Sequence, residues 1–170
     1  MKKSIKNLAF AFTAIALFST VNLNAQSPKL GLGINLGVPS KDYQSLAIAA
    51  DLRYQFDVDK QLSIPLTAGY THFFGKEIND TGIDYADLGY IPVKAGLKYF
   101  FNSTGSGVYG LGEIGAGFGT KSGTGTAFIF SPAIGYSWSN GLDLAAKYEG
   151  YSNNGTIGYT GLRLAYGFKL

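Results

Sequence analysis

Nine charged residues recur where a pleated strand would turn them all to one side: Asp51, Arg53, Lys94, Lys98, Glu113, Asp143, Lys147, Glu149 and Arg163. Five are cations and four are anions. Held together, such a set can do one of two things. It can neutralise itself as an ion-pair and hydrogen-bond network, or it can line a path for ions. Buried charge is costly unless paired, which favours the self-neutralising network. Arg163, Lys98 and Glu113 are expected near its centre.

Other groups that resemble chemistry are weaker. Gly110-Leu111-Gly112-Glu113-Ile114-Gly115 matches the dinucleotide fingerprint letter by letter. That motif needs a helix N-terminus to hold a pyrophosphate, and here Gly117 and Gly119 continue a strand-like alternation, so nucleotide binding is excluded. His72 is the single histidine. Acyl chemistry there would need a serine within hydrogen-bond reach and a carboxylate to orient the imidazole. Its same-face neighbour is Phe74, and the nearest carboxylates, Glu77 and Asp87, lie in or beside a loop. His72 is therefore expected to be a rim residue. One histidine and no cysteine make poor material for a metal site, and no disulfide or lipidated N-terminal cysteine is available. Asn79, Asn102 and Asn154 begin glycosylation sequons, which are given no weight. The chain reads as non-enzymatic, without catalytic, cofactor-binding or metal-ligating residues.

The elements that must position these charges are strands. In 156–170, Gly158, Thr160, Leu162, Leu164, Tyr166, Phe168 and Leu170 share one parity and are mostly apolar. Ile157, Tyr159, Gly161, Arg163, Ala165, Gly167 and Lys169 share the other. Alternation this long suits a strand crossing a bilayer at a tilt. Seven earlier segments repeat it, at 29–38, 46–56, 62–74, 90–101, 108–118, 128–138 and 142–149. Ser139-Asn140-Gly141 is a hairpin signal, and 75–86 is the longest connection. Pro65, Pro92 and Pro132 each fall inside a segment, where a bulge is expected. Hairpin-length connections predict an all-β, antiparallel up-and-down sheet, and closure into an eight-stranded barrel removes its edges.

Closed barrels of this size exist in water and in membranes, with the oily face turned opposite ways. The aromatics decide. Alternate strands end in outward pairs two residues apart: Tyr54 and Phe56, Tyr99 and Phe101, Tyr136 and Trp138, Tyr166 and Phe168. All four pairs would ring one rim as an interfacial girdle. Tyr70, His72, Phe74, Phe118, Phe128 and Tyr148 would contribute to the opposite one. The inward face is read as small and polar, built from Gly, Ala, Ser and Thr around the charges. An eight-stranded barrel is just wide enough inside for side chains to fill, so the lumen is expected to be plugged.

The first residues are an address. Residues 1–7 are basic, 8–18 are almost wholly apolar, and a more polar stretch ends at Leu23-Asn24-Ala25 before Gln26. This is the layout of a signal peptide over 1–25, with an apolar core too short for a spanning helix. The domain that follows is 26–170. Lys2, Lys3 and Lys6 supply the whole formal charge of +3, leaving 11 basic against 11 acidic residues. Nothing in that balance suggests nucleic acid.

The Ala25-Gln26 junction, the run Tyr90-Ile91-Pro92-Val93-Lys94 and the aromatic strand ends resemble the small outer-membrane barrels of Bacteroidetes-type bacteria, in the OmpX/OmpA-like class. The resemblance spans 29–170 and is one of pattern. It implies a monomer in the bacterial outer membrane, in contact with outer-membrane lipids and lipopolysaccharide. It also implies that the barrel-assembly machinery reads the chain end, with Tyr166, Phe168 and Leu170 as the signal, although such barrels commonly end in Phe. The role implied is structural or in surface interaction, with no cofactor. Rival readings are a narrow pore, a lipid A-modifying enzyme using His72, and a soluble periplasmic lipocalin-like carrier. Glu77, Asp80 and Asp84 in the long connection could meet divalent cations, though a solvated acidic loop is the commoner outcome.

Overall fold

The computed structural model describes residues 28–78 and 82–170. The signal-peptide segment 1–25, Asp80 and the sequon at Asn79 lie outside those residues. Among the described residues eight strands follow one another: β1 (Lys29–Pro39), β2 (Gln44–Asp57), β3 (Leu62–Gly75), β4 (Leu88–Phe100), β5 (Gly107–Gly119), β6 (Thr126–Ser137), β7 (Leu142–Ser152) and β8 (Thr156–Lys169). Each pairs antiparallel with the next, and β1 pairs with β8 to close the barrel.

Alternation sets which side each residue faces. On β1, Leu32, Ile34, Leu36 and Val38 are 57–72% exposed, while Gly33, Asn35 and Gly37 between them are buried. The outer surface is thus oily and the interior carries the charges, the reverse of a water-soluble domain.

The two ends differ. Turns 58–61, 101–106 and 138–141 share one end with the start of β1 and the finish of β8, and connections 40–43, 76–87, 120–125 and 153–155 share the other. The turns have local causes. The Asp59 carboxylate accepts the amides of Gln61 (2.6 Å) and Leu62 (2.8 Å), which holds it below the usual aspartate range. At 138–141, Gly141 takes a φ of 97° and the Leu142 amide donates to Asn140 Oδ1 at 3.1 Å.

The expected proline bulges are absent. Pro65, Pro92 and Pro132 each keep an unbroken ladder with one neighbouring strand, and the ladder on the other side has a gap without slipping. Pairing of β3 with β4 runs from Ser63↔Lys98 to Leu66↔Ala95 in constant register, passing over Pro65. Proline lacks the N–H that one neighbour requires, so it deletes a rung and leaves the count of residues intact. Among the described residues the one register shift lies at Gln44/Leu46 between β2 and β3.

Candidate functional site: a charged lumen capped by aromatics

The nine inward charges come from β2, β4, β5, β7 and β8 and converge inside the barrel in two groups. The first centres on two glutamates. Glu113, midway along β5, meets Arg53 Nη2 at 3.1 Å and Lys94 at 3.7 Å, and accepts the Thr67 hydroxyl at 2.6 Å. Glu149 Oε2 accepts Lys147 at 2.7 Å and also pairs with Lys94, which joins the two carboxylates. The Tyr151 hydroxyl lies 2.6 Å from Glu149 Oε1 and 2.8 Å from Thr71.

The second group centres on Arg163. Its guanidinium holds Asp51 through Nε (3.0 Å) and Nη2 (2.6 Å), and reaches Asp143 through Nη1 at 3.5 Å. Asn35 adds a donor to Asp51 at 2.9 Å. Asp143 takes Lys98 at 2.9 Å and the Tyr109 hydroxyl at 2.7 Å. Lys98 also sits 3.8 Å over the Tyr109 ring. Lys98 is not central: it lies two residues from the end of β4, opposite Ser63 and Leu111. The junction between lysines is Glu149 instead, because strand tilt, which parity does not reveal, sets height in the barrel.

Aromatic side chains cluster in the lumen on both sides of the charges, and the inner face is not uniformly small. Phe73, Tyr90, Tyr151 and Tyr159 pack with Ile129 and Ile157 at the end bearing the long connections. Tyr90 and Tyr151 are 4.6 Å apart, and Phe73 meets Tyr151 edge-on at 5.7 Å. Phe100 and Tyr109 pack with Leu111 and Ala145 toward the other end. Parity assigns Tyr90, Tyr109 and Tyr159 to this face, and the signal for Tyr151 is that it continues the inward set two residues beyond Glu149.

Outside, the eight rim aromatics meet within their own pairs, edge-on or tilted. Centroid separations are 4.6 Å for Tyr54 and Phe56, 6.0 Å for Tyr99 and Phe101, 4.7 Å for Tyr136 and Trp138, and 4.9 Å for Tyr166 and Phe168. All four pairs lie at the end where β1 begins and β8 finishes, with Phe101 and Trp138 just past β4 and β6. There Phe168 pairs with Leu30, and the Leu170 amide donates to the Pro28 carbonyl at 2.9 Å.

At the opposite rim His72 is better oriented than its sequence neighbours suggest. Asp87 comes back from the loop to within 3.4 Å of Nε2, and the Tyr70 hydroxyl is 3.2 Å from Nδ1. The Gly75 amide donates to Asp87 at 2.8 Å and holds that carboxyl below the usual range, with His72 and Lys121 adding to the effect. The hydroxyl bonded to this imidazole is a phenol and not a serine. Gly110, Gly112 and Gly115 lie within β5, with no helix after them.

No protein-family model matches the chain, and no curated protein matches it. Solved structures do. Ail, the attachment invasion locus protein of Yersinia pestis, superposes with a TM-score of 0.59 at 17% identity, over 84% of this chain and 99% of Ail. The N-terminal β-barrel domain of Pseudomonas aeruginosa OprF gives 0.59 at 13% identity, over 85% of this chain and 100% of the other. Neisserial surface protein A gives 0.53 at 14%, over 85% and 99%. The chain therefore has the fold of the small eight-stranded outer-membrane barrels.

Proposed function

We propose that this is an integral outer-membrane barrel whose lumen is a plug, exported by the signal peptide 1–25 and spanning the membrane with 26–170. One observation carries the reading: each inward charge meets a partner of opposite sign inside the barrel, and aromatic clusters lie above and below them. Charges spent on one another do not hold open a water-filled path. The oily exterior supports membrane residence, because in water so much exposed aliphatic surface would drive association.

In this reading the four aromatic pairs are the interfacial girdle on the side of the short turns, and the long connections face outward. The barrel is a monomer among outer-membrane lipids and lipopolysaccharide. Tyr166, Phe168 and Leu170 are read by the barrel-assembly machinery. The role is structural or in surface interaction, without catalysis.

The test is single-channel conductance of the refolded protein in a planar bilayer, after unboiled samples show the shifted gel mobility of a closed barrel. Silence is expected. Steady, charge-selective steps that change on substitution of Lys98 or Glu113 would overturn the plug.

A further inference from the structure

The lumen is packed unevenly. Toward the end where β1 begins and β8 finishes lies a cavity of about 50 Å³ lined by Lys29, Arg53, Lys98 and Arg163 with one carboxylate, Asp143. It shares Lys29, Ser137, Tyr166 and Gly167 with a wider recess of about 490 Å³ at the rim, bordered by turns 104–106 and 138–141. The inner cavity thus has an approach from one side. On the other side lie the pairs around Glu113 and Glu149 and, beyond them, the Phe73, Tyr90 and Tyr151 cluster.

Charge in this interior does not balance. With the rim pair Lys29–Asp57 (2.8 Å) included, the ion-paired lumen holds six cations, Lys29, Arg53, Lys94, Lys98, Lys147 and Arg163. Against them stand five carboxylates, Asp51, Asp57, Glu113, Asp143 and Glu149. One positive charge is left over in a poorly solvated place. Such a charge is relieved in one of two ways: a lysine gives up its proton, or an anion joins the network.

We propose that the cavity binds a small monovalent anion that enters from the end where β1 begins and β8 finishes. The cations are gathered there. Arg53 commits Nε to Thr67 and Nη2 to Glu113, which leaves Nη1 without a protein acceptor among the described residues. Lys98 makes one hydrogen bond, to Asp143, and has two further donors. Arg53, Lys98 and Arg163 are each at most 5% exposed, so salt in bulk solution screens them poorly. The volume fits a halide with a few waters, since one water needs about 10–15 Å³ of such space. Single valence follows from the single unbalanced charge. The inference rests on the plugged-lumen reading only at the inner wall of the cavity.

The experiment is an amide NMR titration of the isotope-labelled, refolded barrel in zwitterionic micelles. Chloride replaces gluconate at constant ionic strength, gluconate being too bulky for the cavity. The amides of Gly31, Ser137 and Gly167 are expected to shift saturably with chloride. Gly31→Val removes no charged group and adds a side chain at the cavity wall, where a Cβ at this position meets nothing closer than 3.7 Å. It should weaken the chloride response at least about tenfold. Lys29→Gln removes one of the four cations lining the cavity and should weaken it likewise, with Asp57 still held by Gln55 and Ser63. Shifts that fail to saturate, equal shifts in both salts, or an unchanged response in a folded Gly31→Val or Lys29→Gln barrel would overturn the proposal. Conductance reports on the plug and the titration on the anion, so either reading can fail alone.

Discussion

Arg53 on β2 and Glu113 on β5 meet across the lumen at 3.1 Å, both almost wholly shielded from solvent. Neither strand pairs with the other, so this contact spans the barrel and ties opposite walls. Glu113→Ala leaves Arg53 and Lys94 facing each other without their shared carboxylate. It should cost about 3–5 kcal/mol, as loss of one partner from a buried pair does. Arg53→Met with Glu113→Met should cost less than the two single changes together, because no lone charge is stranded. Equilibrium urea unfolding followed through Trp138, the sole tryptophan, measures both.

The seam between β1 and β8 depends on a glycine pair, Gly37 opposite Gly161. A Cβ at Gly161 would lie 2.6 Å from the Gly37 Cα and press on the Leu36 carbonyl. Backbone cannot rotate aside as a side chain can, so Gly161→Ala must part the strands that close the barrel. The expected result is loss of the compact unboiled gel form, or a stability loss of about 1–3 kcal/mol where it survives. Gly31→Ala lies on the same seam with its nearest atoms at 3.7 Å and should keep the compact form.

Acid should loosen the loop between β3 and β4 before it opens the barrel. The Asp87 carboxylate accepts the Gly75 amide and faces His72, and its folded-state titration is shifted down. A lowered carboxyl pKa contributes stability that is present above the unfolded value, about 3.9, and is lost as pH falls through the folded one. Amide hydrogen exchange at Gly75 should therefore be slow relative to its intrinsic rate at pH 5 and lose that protection below about pH 4. Asp87→Asn should abolish the pH dependence. Protection of Gly75 that persists unchanged to pH 3 would count against the Asp87 contact.

Most of the fold was legible because a barrel strand repeats a two-residue pattern, and parity alone sorts Leu144 outward and Lys147 inward. Parity does not give height or partner across the lumen. Arg53 reaching Glu113 and Lys94 reaching Glu149 depend on tilt and closure, which appear only when β8 docks on β1. The inward aromatics were obscured for another reason. Tyr90 and Tyr159 carry inward parity, but so many small and charged residues share it that the face read as small throughout. The prolines misled because a missing N–H is met here by a missing rung, and the sequence of a strand is the same either way. The Asp87–His72 contact needed a loop to fold back, which no periodicity encodes.

Tyr151 and Tyr159 both point a hydroxyl at Glu149, and they should matter unequally. Tyr151 stands 2.6 Å from the carboxylate and also 2.8 Å from Thr71, whereas Tyr159 stands 3.5 Å away. Both rings pack on Phe73, at 5.7 and 5.9 Å, so replacement by phenylalanine leaves the aromatic cluster in place and removes only the hydroxyl. Tyr151→Phe takes a close donor from a buried anion and should cost about 1–3 kcal/mol. Tyr159→Phe breaks a bond already at the limit of hydrogen-bond length and should cost less than about 1 kcal/mol. Urea midpoints at equal slopes separate the two changes. Equal losses would mean that Glu149 is held by its lysines alone, and that the tyrosines serve the lumen only as packing.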